Sequence, residues 1–166
     1  MTDLFKDKAG DWDSAPVPTQ ISAGVSRAID ENVTFSAEQT VMDFGAGTGL
    51  IASRIAPKVA RIVAVDVSPS MLEQLAQKPE LRGKVEIHCQ DILKTPLGTQ
   101  VDVVVSAMAM HHVQDTKALM RALFDHLRPG GSVALADLDV EKGDFHPADV
   151  EGVYRKPVEM AIARSS

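Results

Sequence analysis

Between residues 40 and 138, short apolar runs alternate with segments whose apolar residues recur at helical spacing. The apolar runs predict five buried strands, over residues 40–44, 61–66, 84–89, 101–106 and 132–138. The helices between them are predicted to begin near Leu50, Ser68 and Asp115 or Thr116, and an earlier amphipathic helix is predicted over Ile21–Val33. Such alternation is typical of a parallel sheet covered on both faces, which binds ligands beyond the carboxyl ends of its strands.

Composition narrows the choice of function. The 166 residues fit one soluble domain, and no apolar run approaches the roughly 20 residues of a membrane span. A net charge of −6 without a Lys/Arg cluster argues against a nucleic-acid partner. The one cysteine, Cys89, cannot form an internal disulfide, so we expect a cytoplasmic location, with Cys89 buried in its strand.

A glycine loop follows the first strand, in the run Asp43-Phe-Gly45-Ala-Gly47-Thr-Gly49. Glycines let the backbone turn sharply and approach a ligand, and N–H groups at a helix start can hold a carboxylate or a phosphate. A dinucleotide site requires Gly or Ala where this chain has Leu50. Asp43 would also repel a diphosphate but attract an ammonium. The loop therefore favours S-adenosylmethionine, with NAD as the alternative.

Two further acids end neighbouring strands. Asp66 lies about 20 residues past the glycines, the spacing of a carboxylate that accepts the ribose hydroxyls. Asp91 ends the third strand, where we expect it to accept a hydrogen bond from the adenine amino group while Met71 or Ile92 packs on the ring. Each acid alone has an ordinary interpretation as a solvated strand end, but three acids at three strand ends favour a ligand site.

Together with residues 102–113 and the run Leu-Arg-Pro-Gly-Gly at 127–131, these motifs resemble the class I S-adenosylmethionine-dependent methyltransferases. The chain is most similar in character to small bacterial enzymes of the ubiquinone and menaquinone type. The resemblance implies a Rossmann-like methyltransferase fold with a mostly parallel, doubly wound sheet, S-adenosylmethionine as cofactor, and a small-molecule methyl acceptor. It also implies that Ser106 to Met108 lie beside the methyl group. The predicted cofactor-binding residues are Asp43, Gly45, Gly47, Gly49, Asp66, Val67, Met71, Asp91, Ile92, Ser106 and Met108.

An acceptor that loses a proton needs a base. His111 and His112 follow the fourth strand and are the candidate bases, with His146 as a further candidate and a structural role as the alternative for each. We expect no metal site, because adjacent histidines on a strand face opposite sides and no further ligands complete a set.

The chain reads as one domain, with an arm and helix over 1–39, a cofactor-binding core over 40–139 and a shortened C-terminal region over 140–166. The family has seven strands, and only about 27 residues follow residue 139. We therefore expect a final strand within 157–164 but no helix or penultimate strand before it. An uncovered sheet edge invites association, so the arm or a second copy of the chain is expected to cover it. A shortened end also leaves open a cofactor-binding domain without a complete acceptor site.

Overall fold

The computed structural model describes residues 2–137 and the backbone of residues 161–164. Within these residues, six strands form one sheet in the order β3-β2-β1-β4-β5-β6. The strands are β1 (Thr40–Phe44), β2 (Arg61–Asp66), β3 (Val85–Cys89), β4 (Val101–Ala107), β5 (Leu127–Ala136) and β6 (Ala161–Arg164). The first five run parallel, and β6 pairs antiparallel with β5. The chain order reverses between β1 and β4, which is where ligands bind in this class of sheet.

Four α-helices connect or flank these strands: α1 (Pro16–Asn32), α2 (Leu50–Ile55), α3 (Pro69–Ala76) and α4 (Thr116–Asp125). The helices α2, α3 and α4 start where the sequence predicted, and polar side chains cap two of them. The Ser68 hydroxyl accepts a hydrogen bond from the Met71 N–H (3.3 Å), and the Asp115 carboxylate accepts one from the Ala118 N–H (2.9 Å).

The sheet is buried on both faces. On β1, Val41 and Met42 are both fully buried but belong to different hydrophobic clusters, because successive strand residues point to opposite faces. The cluster with Val41 includes Ile29 of α1 and Ile51 of α2, and the cluster with Met42 includes Leu119 of α4. The predicted doubly wound α/β fold is confirmed.

Three details of the prediction were wrong. Helix α1 begins at Pro16 rather than at Ile21, because a proline fits the first position of a helix. Strand β5 begins at Leu127 rather than at residue 132, because Leu127 already pairs with Val101, and the glycines, with Gly130 at a φ of +79°, form an irregularity within the strand instead of preceding it. A Cβ at Gly131 would lie 2.8 Å from the Asp102 carbonyl oxygen, so the glycine lets β5 approach β4 closely. Cys89 is exposed rather than buried, because β3 is an edge strand of the sheet.

The C-terminal end of the described chain agrees with the prediction in one respect. Residues 161–164 form a strand inside the segment predicted to hold the last one. The predicted loss of a helix and a strand, and the candidate base His146, fall within 138–160 and lie outside the described residues. Among the residues that the structure describes, no helix has the length and apolar character needed to cross a membrane.

Candidate functional site

A cavity of about 420 Å³ opens at the carboxyl ends of the parallel strands. Its size is within the usual range of small-molecule sites. Phe44, Asp66 and Ala107, at the ends of β1, β2 and β4, contribute to its wall, together with α1 and the segment before it. Nine of the predicted site residues line it: Gly45, Gly47, Asp66, Val67, Met71, Asp91, Met108, His111 and His112. Four others, Asp43, Gly49, Ile92 and Ser106, do not.

The three loop glycines have different roles, although all have positive φ angles. A Cβ at Gly45 would overlap the Cβ of Ala109, and one at Gly49 would lie 2.9 Å from Cγ of Leu75. A Cβ at Gly47 would meet no atom within 4 Å. Gly45 and Gly49 therefore allow close packing, whereas Gly47 leaves the cavity wall open for a ligand to approach the backbone.

The Asp66 carboxylate is fixed by the backbone beside it. Its Oδ2 accepts a hydrogen bond from the Gly47 N–H (2.8 Å) and its Oδ1 accepts one from the Ser68 N–H (2.9 Å). Burial raises the pKa of Asp66, although these hydrogen bonds oppose the rise. The glycine loop and Asp66, which the sequence analysis identified separately, thus form one preorganised unit. A carboxylate can accept more hydrogen bonds than these two, so Asp66 can also accept hydrogen bonds from a ligand.

Asp43 lies beneath the glycine loop and is 2% exposed. Its burial, together with the negative charge of Asp66, raises the pKa of Asp43 to about 7. In the described part of the chain, its Oδ2 has no hydrogen-bond partner. The structure therefore puts this carboxyl behind the cavity wall, and contact between Asp43 and a ligand ammonium stays a prediction.

Of the three residues predicted to contact the adenine, two line the cavity and one does not. Met71 and Asp91 both line the cavity, and Asp91 Oδ1 accepts a hydrogen bond from the Leu93 N–H (3.0 Å). Ile92 is 2% exposed and packs in the hydrophobic cluster around Met42. Leu93, which sequence reasoning missed, lines the cavity instead. Of the two residues proposed to pack on a ring, the structure brings Met71 to the cavity and leaves Ile92 in the core.

The end of β4 holds a strained residue. Met108 lines the cavity with a φ of +58°, a conformation that is uncommon for a residue other than glycine and concentrates at functional sites. Ser106, two residues earlier, is buried, and its hydroxyl donates a hydrogen bond to the Phe44 carbonyl oxygen (2.8 Å). Ser106 therefore ties β4 to β1, while Met108 faces the cavity.

The two histidines lie in a 3₁₀ turn over Met110–His112, not on the strand, so the expectation that they face opposite sides was wrong. Their ring centroids are 4.2 Å apart, with planes inclined by 40°. The Nδ1 atom of His111 lies 2.6 Å from Oδ1 of Asp137, and the His111 backbone N–H donates to Oδ2 of the same carboxylate (3.1 Å). The His112 ring contacts Phe5 edge-to-face, with centroids 5.6 Å apart. The sequence analysis did not predict Asp137 or Phe5 as site residues.

The segment before α1, residues 2–14, covers the cavity rather than the sheet edge. Phe5 and Trp12 line the cavity and contact each other edge-to-face at 5.7 Å. Asp3 accepts hydrogen bonds from the hydroxyls of Ser68 (2.8 Å) and Ser70 (2.6 Å) near the start of α3. Burial opposes ionisation of Asp3, but these hydrogen bonds outweigh it and lower its pKa to about 2.

A second carboxylate of this segment also holds it in place. Asp13 accepts a hydrogen bond from the Thr48 hydroxyl of the glycine loop and forms an ion pair with Lys78 (2.6 Å). An isolated tryptophan in an otherwise polar stretch was the available sign that this segment packs against the domain.

Comparison with known proteins agrees with this geometry. Residues 41–131 match a family described as methyltransferase domain. The chain is 32% identical over 125 residues to an uncharacterized methyltransferase of Schizosaccharomyces pombe, in a match covering 67% of this chain and 44% of the relative. It is 29% identical over 115 residues to the ubiquinone biosynthesis O-methyltransferase of Pseudomonas fluorescens, covering 67% and 49%. The chain thus spans about half the length of these curated relatives.

A solved structure shares the fold at low sequence identity. The phosphoethanolamine N-methyltransferase 1 of Haemonchus contortus, in complex with phosphoethanolamine and S-adenosylhomocysteine, matches with a TM-score of 0.74 and 20% identity. The match covers 92% of this chain and 36% of that one. Since the family match also extends over more than half of the chain, from β1 to the start of β5, this chain belongs to the class I S-adenosylmethionine-dependent methyltransferases.

Proposed function

We propose that the protein binds S-adenosylmethionine in this cavity and transfers its methyl group to a small molecule. The observation that carries the proposal is the unit formed by Gly47 and Asp66. Gly47 leaves open space at the cavity wall, and its N–H holds the Asp66 carboxylate at 2.8 Å. A close backbone approach next to a fixed hydrogen-bond acceptor fits a ligand with both a small charged end and a ribose.

Different lining residues would bind different parts of the cofactor. The glycine loop would hold the methionine moiety, Asp66 the ribose hydroxyls, and Asp91 with Met71 the adenine, while Val67 lines the same wall. When bound, the cofactor supplies an electrophilic methyl group on a sulfonium. Holding the acceptor in line with that group can account for roughly 7–11 kcal/mol of rate acceleration. The strained Met108 lies at the end of β4, where the resemblance puts the methyl group.

The acceptor side of the cavity is aromatic and apolar. Phe5 and Trp12 of the N-terminal segment, His112 of the 3₁₀ turn, and Pro18 and Ile21 of α1 line it. Aromatic edges and faces suit a planar or apolar small molecule. The name of the Pseudomonas relative, a ubiquinone biosynthesis O-methyltransferase, is consistent with a small acceptor.

The remaining parts of the proposal come from the sequence. The net charge of −6 disfavours nucleic acid as the acceptor. We also propose that the chain forms a single domain and is located in the cytoplasm. Association of two copies through the sheet edge at β6 stays a prediction. The family match and the relatives are methyltransferases, so nothing in them supports the NAD-dependent alternative.

Calorimetry with S-adenosylmethionine and S-adenosylhomocysteine tests the binding site. Replacing Asp66 with Ala should weaken binding by roughly 1–3 kcal/mol, because ribose hydroxyls lose their acceptor. Asp30→Ala is the matched control, since Asp30 is an exposed carboxylate of α1 that pairs with Lys58 and does not line the cavity. Unchanged affinity of a folded Asp66→Ala protein would remove the ribose role, and no uptake by the wild type would refute the proposed function.

Turnover separates an enzyme from a domain that only binds the cofactor. We expect S-adenosylhomocysteine to form when the protein is incubated with S-adenosylmethionine and a panel of phenols, quinols and amines. A protein that binds both cofactor forms but yields no S-adenosylhomocysteine above the rate without acceptor would favour a binding domain.

A further inference from the structure

Strand β3 forms one edge of the sheet, and within the described residues no strand pairs with its outer side. Proteins commonly protect such edges against pairing with another chain by a proline, a bulge or unpaired charges. The sequence of β3, Val-Glu-Ile-His-Cys, contains no proline, and its register with β2 is regular throughout. Its central residue, Ile87, is 37% exposed. This edge therefore has no proline or bulge that would prevent a further strand from pairing with it.

Alternate backbone groups of β3 point away from the sheet. The Lys84 carbonyl oxygen, just before β3, accepts a hydrogen bond from the Ile62 N–H of β2 (2.8 Å). The Gln90 N–H, just after β3, donates one to the Asp66 carbonyl oxygen of β2 (3.0 Å). Since the direction of these groups alternates along a strand, the even-numbered residues between them also face β2. The N–H and C=O groups of the odd-numbered residues of β3 therefore face outward.

A second β3 strand, antiparallel to the first and centred on Ile87, matches these outward groups. A two-fold axis at Ile87 puts this residue opposite its own copy and puts Val85 opposite Cys89 of the second chain. Opposite residues of an antiparallel pair exchange both of their N–H···O bonds when their backbone groups face each other. Each outward N–H of one strand then has a carbonyl oxygen opposite it, so the edge is complementary to itself in hydrogen bonding.

The side chains on the same edge are also self-complementary. Glu86 and His88 lie on the face of β3 opposite to Ile87, and Glu86 Oε1 lies 2.7 Å from His88 Nε2. The other carboxylate oxygen, Oε2, pairs with Arg61 of β2 at 3.1 Å. The two-fold axis at Ile87 puts Glu86 of each chain opposite His88 of the other, where side chains approach most closely. A neutral or a charged imidazole can donate a hydrogen bond to that carboxylate.

These side chains also select the register of the pair. A shift by two residues puts Glu86 opposite its own copy, or His88 opposite its own copy, and like charges directly opposite each other are destabilising. A shift by one residue puts outward backbone groups opposite inward ones, so the hydrogen bonds between the strands are lost. Among these registers, the one centred on Ile87 combines matched backbone groups with matched side chains.

We propose that the β3 edge is an interaction surface for a second copy of this chain, which pairs its own β3 antiparallel about Ile87 to form one continuous sheet. The contact uses the same surface on both chains, so it closes as a dimer. A strand of five residues buries a small area, so the dimer is weak and reversible. The strands of the two chains run in opposite directions, so the cavities at their carboxyl ends open in opposite directions. This inference is independent of the proposed methyl transfer.

Sedimentation velocity of the full chain, from micromolar to millimolar concentration, measures the dissociation constant of the dimer. We expect the wild type to dimerise reversibly. Glu86→Lys and His88→Glu should each raise the dissociation constant about tenfold or more, because each replaces a complementary cross-strand pair on both sides of the axis. The matched control is Glu31→Lys, which makes the same charge change at an exposed residue of α1 and should leave the dissociation constant unchanged.

Mixing the two variants separates the contact between chains from effects within a chain. In a mixed dimer, the lysine introduced in Glu86→Lys faces the glutamate introduced in His88→Glu, and the remaining native Glu86 and His88 face each other. We expect the equimolar mixture to dimerise with a dissociation constant within about threefold of the wild-type value. Mixing leaves the contacts within each chain unchanged, so this recovery requires a contact between the chains.

A cross-link tests the register without depending on charge. Ile87→Cys in a Cys89→Ser background puts two thiols opposite each other on the two-fold axis, with Cα atoms about 5.5 Å apart, within the range of a disulfide. We expect this variant to form a covalent dimer on mild oxidation. The control is Val17→Cys in the same background, since Val17 is an exposed residue of α1, and it should remain monomeric.

Three results would overturn the proposal. The first is a wild-type protein that stays monomeric at millimolar concentration. The second is a dimer that Glu86→Lys and His88→Glu leave unchanged, or a mixture that dimerises no better than either variant alone, because the contact would then lie on another surface, such as the edge at β6. The third is equal cross-linking of the Ile87→Cys and Val17→Cys proteins, which would show collisions between chains rather than a defined pairing of strands.

Discussion

Replacing Asp43 with Asn should make the protein more stable, and increasingly so as the pH rises. Asp43 is 2% exposed beneath the glycine loop, and its Oδ2 lacks a hydrogen-bond partner in the described part of the chain. Burial and the neighbouring Asp66 charge raise the pKa of Asp43 from 3.8 to about 7. A backbone hydrogen bond from Ala52 only partly offsets this rise in pKa, so burial still disfavours the ionised form, whereas the amide of Asn carries no charge.

The size of the effect follows from proton linkage. Between about pH 5 and the folded-state pKa of about 7, the folded protein keeps a proton on Asp43 that the unfolded chain has released. The free energy of unfolding therefore falls by about 1.36 kcal/mol per pH unit over this interval, or roughly 2.7 kcal/mol in all. The Asp43→Asn variant lacks this proton, so its advantage over the wild type should grow by that amount between about pH 5 and pH 8.

Urea denaturation of both proteins at the two pH values measures the effect. Any loss of hydrogen bonding in the variant shifts both of its values alike, so it cancels when the difference between the two proteins is compared across pH. Asp30→Asn is the control, because Asp30 is an exposed carboxylate, and its difference from the wild type should stay within about 0.5 kcal/mol at both pH values. Parallel stability profiles of Asp43→Asn and the wild type would refute the reasoning.

Two further predictions concern the cavity wall. Replacing Gly47 with Ala should weaken S-adenosylhomocysteine binding about tenfold or more, because the φ angle of Gly47 is +54° and the new Cβ enters the open space at the cavity wall. The control is Gly24→Ala in α1, which should leave the affinity measured by calorimetry unchanged. Wild-type affinity in folded Gly47→Ala would show that the ligand does not approach this backbone. Replacing Asp3 with Asn should speed tryptic cleavage after Lys6 about tenfold, because the hydrogen bonds to Ser68 and Ser70 weaken. Equal cleavage of this variant and of Asp7→Asn would show that Asp3 does not hold the segment.

The fold was predictable where local pattern and burial coincide. Strands β1 and β2 match the predicted ranges because each is a short, mostly apolar run that is packed on both faces. The first turn of α3 was predictable because a serine cap followed by Pro69 is typical of a helix start. Cys89 was misplaced because an apolar pattern does not reveal which strand lies at the edge of the sheet.

The candidate site was likewise predictable only where its contacts depend on nearby positions in the sequence. Gly47 and Asp66 are 19 positions apart in one strand–helix–strand unit, so their spacing was sufficient to assign both to one site, although the hydrogen bond between them was not predicted. The pair of His111 and Asp137 joins positions 26 apart across two strand ends, and Asp3 reaches Ser68 over 65 positions. Such contacts depend on how complete elements pack, and no periodicity in the sequence encodes them.

The two halves of the cavity wall are built by different means, and this has a consequence for specificity. The proposed cofactor side is made of a backbone turn and a strand end, such as Gly45 and Asp66, and a Cβ at Gly45 would overlap Ala109, so packing also requires that glycine. The proposed acceptor side is made of Phe5, Trp12 and His112, whose rings lie on a segment and a turn outside the sheet. Because residues outside the sheet can change without disturbing its core, substitutions at Phe5 or Trp12 should alter the choice of acceptor while cofactor affinity is kept.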